Sequence, residues 1–349
     1  MVHVAAEQEV TELQRKYLTA VSSELHAVIP HELDGPYPLL RYHLGWEEAN
    51  GAVREDGGGK ALRPVLCLTA AEVAGGDWHQ ALAAAASLEL IHNFSLVHDD
   101  IQDGDIERRH RSTVWSLWGI PKAMTAGNAM RVVADRTLAM LSNANLPDAC
   151  VVSASLVLTE RYLEMIEGQY QDISFEDADG VTPKQYLEMV GRKTGALIDA
   201  SMYLGALVAT QDTAQAEAFG WSGRRLGLAF QIRDDILGIW GDPAETGKAI
   251  GADIRRRKKS LPVVYLLQKA KGNDKKWLQG LYDADYEMSD ADVNRVLEIM
   301  ERVGAKQYCQ QMAEDQSRQA DAATEGLPLT PAARDTLRAL GEYFVTREK

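Results

Sequence analysis

The chain has 349 residues, with 37 Lys plus Arg against 51 Asp plus Glu and a formal charge of −14. Apolar residues make up 46% and charged residues 25%, a globular mix that excludes a disordered chain, a collagen-like fibre and a mucin-like stalk. The length allows a sizeable core, and the acidic balance argues against a dedicated nucleic-acid binder, whose phosphate contacts need excess cations.

Helical spacing dominates from end to end. Residues 1–8 are expected to form a flexible tail, and Met1–Gln14 is too polar for a secretory signal. Helices are expected near Glu9–Val28, Leu62–Ala74, His79–Ile101, Lys122–Ser142 and Ala149–Ile173, then near Pro183–Thr210, Thr213–Trp240, Pro262–Ala270, Asp290–Glu325 and Pro331–Arg347. Glycine, proline and polar clusters punctuate them, as at Gly51–Gly59, Phe175–Pro183 and Gly241–Gly251. Nothing looks like an inter-domain linker, so one all-α domain over 1–349 is expected. The longest apolar stretches, Ala81–Leu88 and Ala149–Leu158, fall short of the ~18 residues of a membrane span. Cys67, Cys150 and Cys309 are odd in number and far apart. They read as free thiols in a reducing compartment, and a cytoplasmic protein is expected.

The strongest local signal is His98-Asp99-Asp100-Ile101-Gln102-Asp103, which ends the apolar run Leu88–Val97. Asp99 and Asp103 are i and i+4 on a helix and share a face, while Asp100 and Asp103 are i and i+3. Clustered carboxylates repel one another unless they are solvated or neutralised by cations. Such hard oxygen ligands suit Mg²⁺, which takes one or two carboxylates plus substrate phosphates; the bland alternative is a solvated acidic helix end. A second pair, Asp234-Asp235, closes another apolar run after Phe230-Gln231-Ile232-Arg233. Two such ends in one helical chain could face each other across a cavity and grip a diphosphate through bound metal.

Basic residues accompany both motifs. Lys60 and Arg63 flank a glycine run at a helix start, where backbone N–H groups favour anions. Arg108-Arg109 follows the first motif, and Arg suits bidentate phosphate contact. Thr246-Gly247-Lys248 and Arg255–Lys259 follow the second. The Arg255–Lys259 run alone could also be a solvated basic face or a nucleic-acid patch. The glycine run is no P-loop, because it lacks the GxxxxGK[ST] spacing and no strand precedes it.

These segments resemble the trans-isoprenyl diphosphate synthase (polyprenyl synthetase) family, from about Gly58 to Leu267. The matching segments, in order, are Gly59-Lys60-Ala61-Leu62-Arg63-Pro64, His92, Asp99–Asp103, Arg108-Arg109, Gly168-Gln169, Lys193-Thr194, Gln231 with Asp234-Asp235, Lys248 and Asp253–Lys258. The resemblance implies a single large helical bundle around a central cavity. The implied reaction is head-to-tail condensation of isopentenyl diphosphate with an allylic diphosphate. It further implies Mg²⁺, three ions per active site, held by Asp99, Asp103 and Asp234 with Asp100 and Asp235 in support. Lys193 and Lys258, with Arg108, would hold the allylic diphosphate, and Lys248 in the closing basic segment would bind substrate. Lys60, Arg63, His92 and Arg109 would hold isopentenyl diphosphate, and Thr194 and Gln231 would set oxygen dipoles near the developing cation. A homodimer is expected, with no nucleic-acid partner. By themselves His92 reads as a core histidine, Lys193-Thr194 as a solvated helix start and Gln169 as a core amide.

The chain departs from the family pattern at two places. Gly238 stands where the second motif commonly ends in aspartate, with Asp242 four residues on as a partial substitute, and His110 stands where glycine is common. Asp105 offers an alternative spacing for the first motif, but Asp103 fits the short form. Phe94 lies five residues before Asp99, about 7–8 Å along a helix. With small Ser95 beside it, Phe94 resembles the floor of a short-chain enzyme making geranylgeranyl diphosphate (C20). A farnesyl diphosphate (C15) synthase, a terpene cyclase and a non-catalytic partner subunit are the alternatives. Met130 or Leu163 could set the length instead.

Overall fold

Long Ala-, Leu- and Glu-rich runs with apolar residues every third or fourth position bury one stripe only when wound as helices. The computed structural model bears out the all-α expectation. It describes residues 2–54, 59, 61–144, 146–247 and 249–348. Among the described residues the only strands are β1 (Glu107–Arg108) and β2 (Arg111–Ser112), an antiparallel pair, beside an isolated Glu47–Val53 bridge. The chain forms two units, one of Thr11–Tyr162 with Ala200–Gly220, the other of Met1–Val10, Leu163–Asp199 and Trp221–Lys349.

The first unit holds most of α1 (Val2–Val28), then α2 (Tyr37–His43), α3 (Leu62–Val73), α4 (Leu82–Gln102), α5 (Val114–Trp118) and α6 (Ile120–Ala139). It also takes the first half of α7 (Asp148–Asp177) and the second part of α9 (Ala196–Thr210). Its core is α3 and α4, where Val65, Leu66, Leu68, Leu88, Leu90 and Ile91 are inaccessible. Each such side chain contributes about 1.5–3 kcal/mol by burial, which is what holds α4 and its aspartates in place. The backbones of α3 and α9 touch, since a Cβ on Gly205 would lie 2.0 Å from the Cys67 carbonyl oxygen.

The second unit holds the start of α1, the rest of α7, α8 (Pro183–Val190), the start of α9, the part of α10 (Thr213–Trp240) from Trp221 on, α11 (Pro243–Thr246), α12 (Ala252–Arg255), α13 (Leu261–Lys269), α14 (Gly272–Tyr282), α15 (Asp290–Val303), α16 (Ala305–Thr324) and α17 (Pro331–Thr346). Two apolar clusters build it. Ile232 and Ile236 of α10 pack with Tyr186, Leu261, Val264 and Cys309. Ile239 packs with Ile254, Val263, Leu266 and Val296. Helix α10 is thereby pinned on both sides of Asp234-Asp235.

The helix bounds differ from the sequence expectation where local chemistry intervenes. The first helix starts at Val2 rather than Glu9. The run expected at Asp290–Glu325 breaks at Gly304, whose φ of +70° caps α15. The run expected at Pro183–Thr210 contains a π turn over Gly191–Gly195. Capping boxes open α8 (Thr182 with Gln185) and α15 (Ser289 with Asp292). The short α2 and α5 carry too few turns to show a period. All three cysteines are free and buried, and no described helix is long and apolar enough to cross a membrane.

Candidate active site

In the first unit α4 carries His92, Phe94, Ser95, Asp99 and Asp100. Asp103 caps it with helical dihedrals, and its N–H donates to the Asp99 carbonyl at 2.8 Å. Gly104 then turns left-handed at φ +68°, so Asp105 lies beyond the helix. Asp99 is half-buried and Asp103 exposed. Asp100 is 1% exposed and accepts a 2.6 Å hydrogen bond from Arg108 Nε. Burial pushes its carboxyl up and the Arg108 guanidinium pulls it back. Its visible task is to anchor Arg108 on the hairpin that follows.

That hairpin turns through Arg109 and His110, with φ of +51° and +60°, the left-handed pair of a two-residue loop. Arg111 holds it by donating to the carbonyls of Tyr42 (2.8 Å) and Glu47 (2.7 Å), and Tyr42 Oη donates to the Ser112 carbonyl at 2.7 Å. A Cβ on Gly59 would lie 2.7 Å from Arg109 Nη1, so the glycine run ends against that guanidinium. Lys60 and Lys248, both expected at the site, lie outside the described residues. A pocket beside the hairpin is lined by His43, Arg54, Asp100, Arg108, Arg109 and Arg111.

Arg63 stands in the first turn of α3, and burial lowers its pKa to about 10 while Glu89 works the other way. His92 is driven well below its ordinary value by burial and by the cations Arg63, Arg109 and Arg108. His43 is driven down to about 3 by burial and by Arg108 and Arg109. Both imidazoles are neutral at pH 7, each with one ring nitrogen as donor and one as acceptor. Glu89, 6% exposed, sits among these cations and accepts from Asn93 Nδ2 at 2.9 Å. The sequence reading missed Glu89, Asn93, His43 and Arg111. The one available signal was a glutamate in an otherwise apolar stretch of α4.

Phe94 is 7% exposed and meets His98 edge to face at 5.1 Å. Ser95 is half-buried, its Oγ donating to the His92 carbonyl at 2.8 Å. Met130 is inaccessible, whereas Leu163 is 54% exposed.

In the second unit the π turn presents Lys193 and Thr194. The backbones of α7 and α10 approach it closely. A Cβ on Gly168 of α7 would lie 2.2 Å from the Lys193 nitrogen, and one on Gly227 of α10 would lie 2.7 Å from the Gly195 Cα. Gly168 therefore makes room for the turn. Lys193 Nζ donates to Asp172. Thr194 Oγ1 donates to Gln231 Oε1 at 3.2 Å, and Gln231 Nε2 donates to Asp235 Oδ1 at 3.2 Å. The relay fixes the Gln231 amide and aligns its dipole.

Asp235 is inaccessible, and its Oδ2 accepts from Tyr186 Oη at 2.6 Å and from the Leu261 N–H at 3.1 Å. Burial raises its pKa to about 6, against the pull of Lys258, Tyr186 and Leu261. It buttresses α10 against α8 and α13. Asp234 is 40% exposed and pairs with Arg347, whose guanidinium lies 4.0 Å from the centre of the Phe230 ring. Lys258 faces Asp235, Asp253, Asp172 and Asp234, which raise its pKa against burial. The neighbouring Arg255, Arg257 and Lys259 are tied to Asp290 or to the carbonyls of Met288, Leu281, Tyr286, Glu176 and Ala178.

A Cβ on Gly238 would lie 2.2 Å from Asp253 Oδ2. The carboxylate in that space is therefore Asp253. Asp242, the substitute expected from the sequence, caps α11 by accepting from the Ala244 N–H at 2.8 Å. Among the described residues no three His, Cys, Asp or Glu side chains converge as a ready-made metal cage. Mg²⁺ does not need one, since phosphate and water fill most of its coordination shell. Carboxylate oxygens suit that ion. In the first unit Asp99 and Asp103 lie one turn apart on α4, and in the second Asp234 pairs with the Arg347 cation.

Residues 52–300 match the family model described as polyprenyl synthetase. A (2E,6E)-farnesyl diphosphate synthase of Mycobacterium bovis is 40% identical over 89% of this chain and 86% of its own length. A geranylgeranyl diphosphate synthase of Mycobacterium tuberculosis is 38% identical over 93% of this chain and 90% of its own. Among solved structures, a polyprenyl synthetase from Streptomyces coelicolor superposes with a TM-score of 0.89 at 36% identity, covering 96% of this chain and 99% of that one. With its motifs in family order on an all-α frame, this chain belongs to the polyprenyl synthetase family.

Proposed function

We propose that this chain condenses isopentenyl diphosphate head-to-tail with allylic diphosphates, giving a short-chain all-trans prenyl diphosphate with geranylgeranyl diphosphate as the main product. Family membership carries this reading, because the matched residues 52–300 contain both acidic motifs and the basic residues between them. The farnesyl product is the second reading, since relatives named for each activity match this chain about equally. Phe94 favours C20: it is buried on α4 and is followed by Ser95 rather than a second aromatic.

Asp99, Asp103 and Asp234 are assigned to Mg²⁺, with Asp100 and Asp235 as the supports of Arg108 and α10. When bound, Mg²⁺ neutralises the diphosphate and makes it a better leaving group. Lys193 and Lys258, with Arg108, take the allylic diphosphate oxygens, and Lys248 binds substrate. Arg63, Arg109, Lys60 and neutral His92 take isopentenyl diphosphate. The Thr194–Gln231 relay supplies oxygen dipoles for the developing allylic cation.

The protein acts as a cytoplasmic homodimer. Three free buried thiols fit a reducing compartment. Along α7, Val152, Leu156, Leu163, Ile166 and Tyr170 are 66%, 57%, 54%, 43% and 74% exposed, an apolar stripe at helical spacing that a second copy would cover.

Product analysis with Mg²⁺, isopentenyl diphosphate and dimethylallyl, geranyl or farnesyl diphosphate tests the reading. A C20 alcohol from all three starters after dephosphorylation is expected. A C15 stop would select the farnesyl reading. A cyclic hydrocarbon, or no turnover, would overturn the synthase.

A further inference from the structure

Arg224 of α10 sits at the centre of an ion cluster that binds three helices together. Its Nη1 and Nη2 donate to the two carboxylate oxygens of Glu164 on α7, at 2.6 and 2.7 Å. Its Nε donates to Asp199 Oδ2 on α9 at 2.9 Å. Its Nη1 also reaches the carbonyl of Gly191 at 3.4 Å, the residue that opens the π turn. The side chains are 17%, 23% and 5% exposed for Arg224, Glu164 and Asp199. This fork-to-fork geometry fixes orientation as well as charge. The opposing anions hold the guanidinium well above its ordinary pKa against the burial that lowers it.

A π turn inserts one extra residue into a helix and is rarely stable by itself. Relaxing it to α geometry would rotate the residues it carries by about 100° about the axis. Those residues are Lys193 and Thr194. The cluster touches the turn at its first carbonyl and grips the helices on either side, α7 and α10, whose glycines leave room for it. We propose that Arg224, with Glu164 and Asp199, is a positioning residue that holds the π turn in register, so that Lys193 and Thr194 face the allylic diphosphate. This rests on the assignment of those two residues made above.

The test uses the full-length Arg224→Lys variant, which keeps the charge and loses the fork, and the Glu164→Gln variant, which loses one carboxylate at a partly exposed position. Each is assayed for kcat and for both KM values, and hydrogen exchange is followed by mass spectrometry in peptides covering Gly191–Ala196 and peptides of α3 and α4. Misplacing a reacting group by about 1 Å costs up to about 100-fold, so kcat is expected to fall by about 10- to 100-fold and the allylic KM to rise, with the isopentenyl KM within about three-fold. Exchange should quicken at the π turn and not in α3 or α4. Unchanged kcat and exchange would overturn the proposal. Loss of both KM values with faster exchange everywhere would also overturn it, by showing a merely structural role. If the unsubstituted protein elongates nothing, the proposed reaction fails instead. Exchange alone then decides whether the cluster holds the turn.

Discussion

The Asp253 carboxylate fills the space in which a side chain at Gly238 would stand, with Oδ2 2.2 Å and Cγ 2.6 Å from an ideal Cβ at that glycine. The two residues come from different helices, α10 and the short α12, and Asp253 is 7% exposed. The glycine in the second motif is thus matched to a carboxylate supplied from fifteen positions further along. Lys258 Nζ lies 4.0 Å from that carboxylate.

A side chain at 238 therefore has to displace Asp253. Overpacking of this kind costs typically about 1–3 kcal/mol. Gly238→Ala should lower the thermal midpoint, and Gly238→Asp should lower it further by adding a like charge. Pairing Gly238→Ala with Asp253→Gly should recover most of the loss, as contacting sites are non-additive. Differential scanning calorimetry of the singles and the pair checks this, and additive losses would refute the contact.

His43 contributes to the pH dependence with a definite sign. Its pKa is about 3 in the folded protein, against an ordinary value of 6.5. Below pH 6.5 the unfolded chain therefore binds a proton that the folded chain refuses. The group's contribution is full above pH 6.5 and is lost as pH falls toward about 3, at up to about 1.4 kcal/mol per pH unit. In urea titrations between pH 7 and 5, the stability of the unsubstituted protein should fall more steeply than that of His43→Gln. Parallel curves would place the imidazole in contact with water.

His110 occupies a left-handed conformation at φ +60° with its side chain fully exposed. A non-glycine residue there costs roughly 1–2 kcal/mol, although histidine tolerates it better than most. His110→Gly should stabilise the folded state by up to about 1 kcal/mol and leave substrate KM values unchanged, as the exposed imidazole stands 3.8 Å from Glu107. A higher urea midpoint with unaltered kinetics is the expected result.

The acidic motifs were legible because charge at the end of an apolar helical run is locally improbable, and Asp99 and Asp103 share a face whatever packs beside them. The long helices were legible for the same periodic reason. Register was not. A π turn changes no residue's polarity, so Gly191–Gly195 looked like uninterrupted helix. One glycine in a strongly periodic run hid the break at Gly304. The carboxylate beside Gly238 is not the nearby Asp242, which is occupied with the N-terminus of α11. The roles of Asp100 and Asp235 emerge only from their partners, Arg108 in one case and Tyr186 with Leu261 in the other. No spacing along the chain encodes those contacts.

Phe94 offers the sharpest test of product length. Its ring is buried on α4, five residues before Asp99, with His98 edge-on at 5.1 Å. A growing chain running along α4 from a diphosphate at Asp99 meets this ring about 7–8 Å down the axis. Phe94→Ala removes the obstruction and should lengthen the main product by one or more isoprene units. The cavity should also lower stability by about 3–5 kcal/mol, so assays belong well below the thermal midpoint. Mass spectrometry of the dephosphorylated alcohols distinguishes the outcomes. Products beyond C20 would fix Phe94 as the floor. An unchanged C20 product from a folded variant would move the limit to a deeper residue, with inaccessible Met130 on α6 the next to truncate.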